Sequence, residues 1–159
     1  MATIDLTVTA ATGSNAGYLP DRSYQLWEGP PTRVRRRVFF VGQPDWGGLT
    51  PTAGDIVRTQ VIDLGVHVVA VYLNVLTAGA ASSTVSVGDT LNSTTQYLAN
   101  VSTAATGTFL STAASWKWYP TASDFLIVTL GTTAAATGAV IDVGFLGSSF
   151  IPYTNPVTE

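Results

Sequence analysis

Apolar runs in this chain are short, and Gly, Pro, Asn or Ser interrupts them roughly every 8 to 15 residues. That punctuation excludes long helices and long buried spans, and it favours many short strands folded into a sandwich or barrel. No stretch carries a sustained i, i+3, i+4 apolar stripe with helix caps. The Ala-rich pieces around Ala80 and Ala135 sit among Gly, Ser and Thr and read as turns.

Strands are expected at Ile4 to Thr9, Thr32 to Val41, Ile56 to Leu64, Val66 to Leu76, Thr84 to Val87 and Gln96 to Val101. Further strands are expected at Thr108 to Leu110, Ser115 to Tyr119, Phe125 to Leu130 and Val140 to Phe150, with a kink near Gly65. Val66 to Leu76 is apolar on both faces, as suits a central strand or one packed against another subunit. The pattern predicts an all-β chain, a jelly-roll β-sandwich of about eight antiparallel strands with an extended N-terminal arm. It divides as an arm over 1–31, an arginine-rich strand with a Gly/Pro-rich loop over 32–54, the sandwich over 55–152 and a tail over 153–159.

Composition bears on what surrounds the fold. Hydrophobic residues make up 46% of the 159 residues, enough for a core. Only 11% are charged, against about 25% in a typical soluble protein. So little charge points to a surface hidden largely in an assembly. A net charge of −3 argues against nonspecific nucleic-acid binding. With no cysteine, neither a disulfide framework nor a thiolate zinc site can form. MATIDLTVTAATG lacks the basic start and apolar run of a secretory signal, and no window approaches 18 consecutive apolar residues. The expectation is a protein made in a cytoplasm, with no membrane partner.

Catalytic patterns are missing. His67 is the single histidine and lies in the most apolar strand, so no histidine metal cluster can form within one chain and a packed imidazole is expected. The acidic residues Asp45, Asp55, Asp63, Asp89, Asp124 and Asp142 sit mostly at strand ends or turns, where Asp bonds nearby backbone. No DxDxDG loop is present, and the Gly-rich loops Gly42 to Gly54 and Gly131 to Gly138 lack a GK[ST] ending. Asn92–Ser93–Thr94 and Asn100–Val101–Ser102 match the glycosylation sequon and read as chance matches in a Thr/Ser-rich chain. No enzyme and no cofactor are expected.

Two local features point to partners. Arg33, Arg35, Arg36 and Arg37 supply four of seven basic residues. On a strand, Arg33, Arg35 and Arg37 share one face, and Val34, Arg36 and Val38 the other. Such a row is either a solvated edge that discourages aggregation or a contact for an acidic neighbouring protein. Three charges are too few for a nucleic-acid groove. Trp116 and Trp118 share a face, with Tyr119 opposite. They belong either to a core or to an exposed platform for a sugar ring or a protein interface. Trp27 and Trp46 lie in the irregular N-terminal part, where core and interface roles are both open.

With these residues laid out, the stretch from Asp55 to Ile151, about 60% of the chain, resembles virion proteins of tailed phages. In such chains a strand pair leads to a VxxGD segment, here Val85 to Asp89, then a Tyr-Leu-Ala piece, here Tyr97 to Ala99. An Ala/Thr/Gly-rich hairpin, here Leu126 to Phe145, closes the domain. The resemblance implies a jelly-roll decoration (cement) protein, a homotrimer seated on the major capsid protein at the outer surface of the head. Similar domains also occur in necks and tails, which leaves open a carbohydrate- or receptor-binding sandwich. The arm before Thr32 lies outside the match.

Overall fold

A computed structural model describes residues 2–7, 28–29, 32–42, 45–112, 115–119, 122–131 and 135–149. Eleven strands are present among them: β1 (Thr3–Asp5), β2 (Glu28–Gly29), β3 (Thr32–Phe40), β4 (Ile56–Ile62), β5 (Val66–Thr77), β6 (Thr84–Asp89), β7 (Leu98–Ser102), β8 (Gly107–Leu110), β9 (Lys117–Trp118), β10 (Asp124–Leu130) and β11 (Val140–Ser149). They form two sheets, β1-β4-β10-β6-β7 and β2-β3-β11-β5-β8, with β9 paired to β5.

Without β1, β2 and β9, the order is β4-β10-β6-β7 against β3-β11-β5-β8. Every connection among these strands crosses to the other sheet except β6 to β7, which is the chain path of a jelly roll. The expected kink near Gly65 is one of these crossings. Gly65 takes φ +77°, a left-handed turn that carries the chain from β4 into β5.

Alternation builds the core. Along β5, Val66, Val68, Val71, Leu73 and Val75 are buried, while His67, Tyr72 and Asn74 face outward. The pairing with β11 shifts between Leu146 and Gly147, leaving Val69 as a bulge that restores the alternation on either side. β5 is thus a central strand, and its outward face is only half-covered. Across the interior, Val57, Ile62, Val85, Val87, Leu126, Val128, Ile141, Val143 and Phe145 are buried from both sheets. Burying each such side chain contributes about 1.5–3 kcal/mol. Gln60 Nε2 donates to the Val143 carbonyl at 2.9 Å and ties one sheet to the other through the core.

The sheets begin earlier in the chain than a sandwich over 55–152. β3 pairs with β11 over nine residue pairs, from Phe40 opposite Val140 to Thr32 opposite Ser148. β1 adds in parallel to the edge of β4, with Ile4 and Leu6 buried beneath it. Both segments supply apolar side chains and backbone partners that the later strands lack, which is why they join the sheets. Residues 8–27 lie outside the described residues, as does the tail over 153–159.

Candidate partner-binding surface

The arginine strand is occupied from within. β3 alternates as expected: Arg37 lies opposite Val143 and Arg35 opposite Phe145, on the face that looks toward the other sheet. There Arg35 donates to the Val61 carbonyl at 2.6 Å and pairs with Asp63 at 2.5 Å. Arg36, on the opposite face, donates through Nε to Asp142 at 2.9 Å. Asp142 is buried and also accepts from Asn74 Nδ2 at 3.2 Å and the Tyr72 hydroxyl at 3.4 Å. Burial and the Asp142 charge push the Tyr72 hydroxyl up to about 12, against the pull of Arg36. Arg35 and Arg36 thus neutralise carboxylates of their own chain. Their position answers the repulsion between these two members of the row. Arg37 is half-buried, and of Arg33 the backbone pairing with Gly147 is described.

The aromatic candidates separate sharply. Trp46 is 2% exposed and donates its indole N–H to the Phe40 carbonyl at 3.1 Å. Tyr119 is 3% exposed. Both are core residues, so neither offers its ring to a partner. Trp27 lies outside the described residues. Trp116 and Trp118 are 49% and 59% exposed. β9 is only two residues long and pairs with the start of β5, placing Trp118 opposite His67. The Trp116 ring meets the His67 ring edge-on, centroids 6.1 Å apart. The lone histidine is therefore packed beside an exposed indole.

Beneath these indoles lies a buried polar network. The Tyr119 hydroxyl donates to Asp89 at 2.6 Å and shares a 2.6 Å hydrogen bond with the Tyr97 hydroxyl. Asp89 also accepts from the backbone N–H of Asn92 at 2.5 Å. Asp124 accepts from the Thr90 hydroxyl and from the Leu91 N–H, the latter at 2.9 Å. Burial first, and then the nearby Asp89, pushes Tyr119 far above the ordinary phenol value; Tyr97 is likewise raised, chiefly by burial. Both tyrosines stay neutral donors. Gly88 makes the closure possible: a Cβ there would lie 2.0 Å from the Ser93 carbonyl oxygen. The VxxGD segment thus acts as a loop lock, glycine giving room and aspartate collecting the donors.

Five exposed leucines, Leu49, Leu76, Leu110, Leu64 (59%) and Leu91 (61%), are absent from the sequence candidates, and the last two stand in turns near Trp116 and Trp118. Their signal is faint: each is a lone bulky apolar residue inside a polar turn, DLG and DTLNST. Among the described residues no group of three or more His, Cys, Asp or Glu could hold a metal ion. The buried aspartates Asp55, Asp89, Asp124 and Asp142 each accept hydrogen bonds from their own chain, which gives them structural work.

No protein-family model and no curated protein matches the sequence. Solved structures do match the fold. A chain in the capsid of Ralstonia phage GP4 aligns with TM-score 0.63 at 17% identity, over 94% of this chain and 99% of that one. A chain in the acidic stable capsid structure of Helicobacter pylori bacteriophage KHP30 aligns with TM-score 0.53 at 18% identity, over 74% and 87%. A chain in the capsid asymmetric unit of cyanophage Pam1 aligns with TM-score 0.52 at 16% identity, over 89% and 99%. At these identities the likeness is one of fold, and in the first and third cases it runs nearly the full length of both chains.

Proposed function

We propose that this chain is a structural virion protein of a tailed phage, a decoration protein that binds the major capsid protein as a homotrimer on the outer surface of the head. The observation that carries the reading is the likeness of fold to a chain in the Ralstonia phage GP4 capsid, which extends over 94% of this chain and 99% of that one. Low charge supports assembly, and the buried aspartates, already bonded within the chain, support a structural rather than enzymatic role. A decoration protein braces by multivalency: each contact is modest, but many must break together for the shell to open.

Particles made without the protein are expected to assemble and to burst at lower temperature than complete ones, measured by genome release on heating. Heads that prove equally robust while adsorption to the host fails would overturn the assignment. That second outcome belongs to the other reading, a carbohydrate- or receptor-binding sandwich of the tail or neck, which the exposure of Trp116 and Trp118 favours.

A further inference from the structure

Of seven large exposed apolar side chains among the described residues, Leu49, Leu76 and Leu110 lie on the β3–β4 connection and at the ends of β5 and β8, while four, Leu64, Leu91, Trp116 and Trp118, fall on three connections: β4 to β5, β6 to β7 and β8 to β10. These connections close the same end of the sandwich and are bonded to one another. The Gly65 N–H donates to the Tyr119 carbonyl at 2.8 Å. Gln96 Nε2 donates to the Ser115 carbonyl at 3.4 Å, and the Leu91 N–H to Asp124 at the foot of β10. The Tyr97–Tyr119–Asp89 network lies underneath. The apolar side chains therefore stand on loops held in place from below, a surface organised before any contact is made.

Two of these connections carry little charge. Residues 90–97 contain no Asp, Glu, Lys or Arg, and residues 111–119 contain Lys117 alone. Asp63, beside Leu64, meets Arg35. A nucleic-acid surface requires clustered cations, which this end lacks. With Lys117 the single charge on the β6–β7 and β8–β10 connections, the patch can meet its own copy with little like-charge repulsion, the condition a self-associating surface must satisfy. The two half-exposed indoles alone offer roughly 200 Å². With the two leucines the patch approaches the roughly 300–600 Å² of the largest apolar patch on a typical monomer, a patch that is often functional. It forms a fitting centre for an interface of about 800 Å² per partner.

We propose that this loop end is the surface through which copies of the chain associate. The proposal deepens the virion reading by naming the contact its homo-oligomer uses, and it rests on that reading for its setting. Light scattering on the purified protein tests it without the particle. The wild type is expected at a multiple of 16.6 kDa. Leu64→Ser, Leu91→Ser and Trp118→Ser are each expected to raise the dissociation concentration at least tenfold while leaving the melting temperature near wild type, since the replaced side chains are exposed. Because the chain has no cysteine, Leu91→Cys supplies a second readout: disulfide-linked pairs under mild oxidation. A wild type that is monomeric up to about 1 mM, an oligomer indifferent to all three serine variants, or a patch that instead proves to hold the capsid shell would each overturn the proposal. Any of these leaves the particle's composition and heat resistance, and so the virion reading, to be judged separately.

Discussion

Gly88 and Asp89 show how much of this fold turns on single positions. The backbone of Ser93 and Thr94 passes so close to Gly88 that a methyl group would overlap it, 2.0 Å from the Ser93 oxygen and 2.4 Å from the Thr94 carbonyl carbon. Both obstacles are main chain, so relief requires the loop over residues 90–97 to move, and that loop supplies donors to Asp89 and Asp124. Gly88→Ala is therefore expected to cost about 3 kcal/mol or more, since it adds overpacking to the loss of buried hydrogen bonds. The check is the urea midpoint; an unchanged midpoint would contradict this account of the motif. The motif was legible in the sequence as a pattern, but its reason was not. The oxygen that forbids a side chain lies five residues away, and the tyrosine that pairs with the aspartate lies 30 residues away. The arginine row was legible in the same partial way. Alternation gave the faces of Arg35 and Arg36 correctly, while Asp63 and Asp142, the carboxylates that receive them, are 28 and 106 residues distant.

Among the elements, the strands were the most legible, because period-2 burial and turn residues are local signals. The predicted stretch Val140 to Phe150 is observed as Val140–Ser149, and Thr32 to Val41 as Thr32–Phe40. The stretch Ser115 to Tyr119 contracts to Lys117–Trp118, since only His67 and Val68 are there to pair with it. The parallel strand β1 was read as part of an arm because its pairing partner begins 53 residues later, at Ile56 opposite Thr3. Its attachment also carries a pH signature. Burial pushes the Asp55 carboxyl up, but donors from Ala2 and Thr52 outweigh that and hold it below the ordinary carboxylate value. A carboxylate with a lowered folded-state value stabilises the fold above its unfolded value, about 3.9, and that contribution is lost as pH falls through the folded one. Asp55→Asn mimics the protonated state at neutral pH. It is expected to reduce hydrogen-exchange protection about tenfold at the Leu6 and Ile56 amides, which bond Arg58 and Ala2 across the β1–β4 pair. Amides in the β5–β11 ladder serve as controls; equal loss there would mean general destabilisation rather than release of β1.

The whole molecule combines a jelly-roll sandwich, a strand whose Arg35 and Arg36 pair with carboxylates of the same chain, and an end whose hydrogen-bonded connections bear exposed tryptophan and leucine. Chemistry that ordinarily marks an enzyme is absorbed into structure: the buried aspartates are acceptors for their own loops, and the lone histidine packs against an exposed indole. Low charge points from composition to an assembled state, whereas the three connections that bear Leu64, Leu91, Trp116 and Trp118 are brought together only by the fold. The central claim is that this protein is a decoration component of a phage head. The most direct measurement is a cryo-electron microscopy reconstruction of the intact virion into which the sandwich is fitted. The account predicts density for the sandwich in symmetric clusters of three on the outer face of the shell, each touching several capsid subunits. Density for it confined to the neck or tail, or a shell complete without it, would contradict the claim.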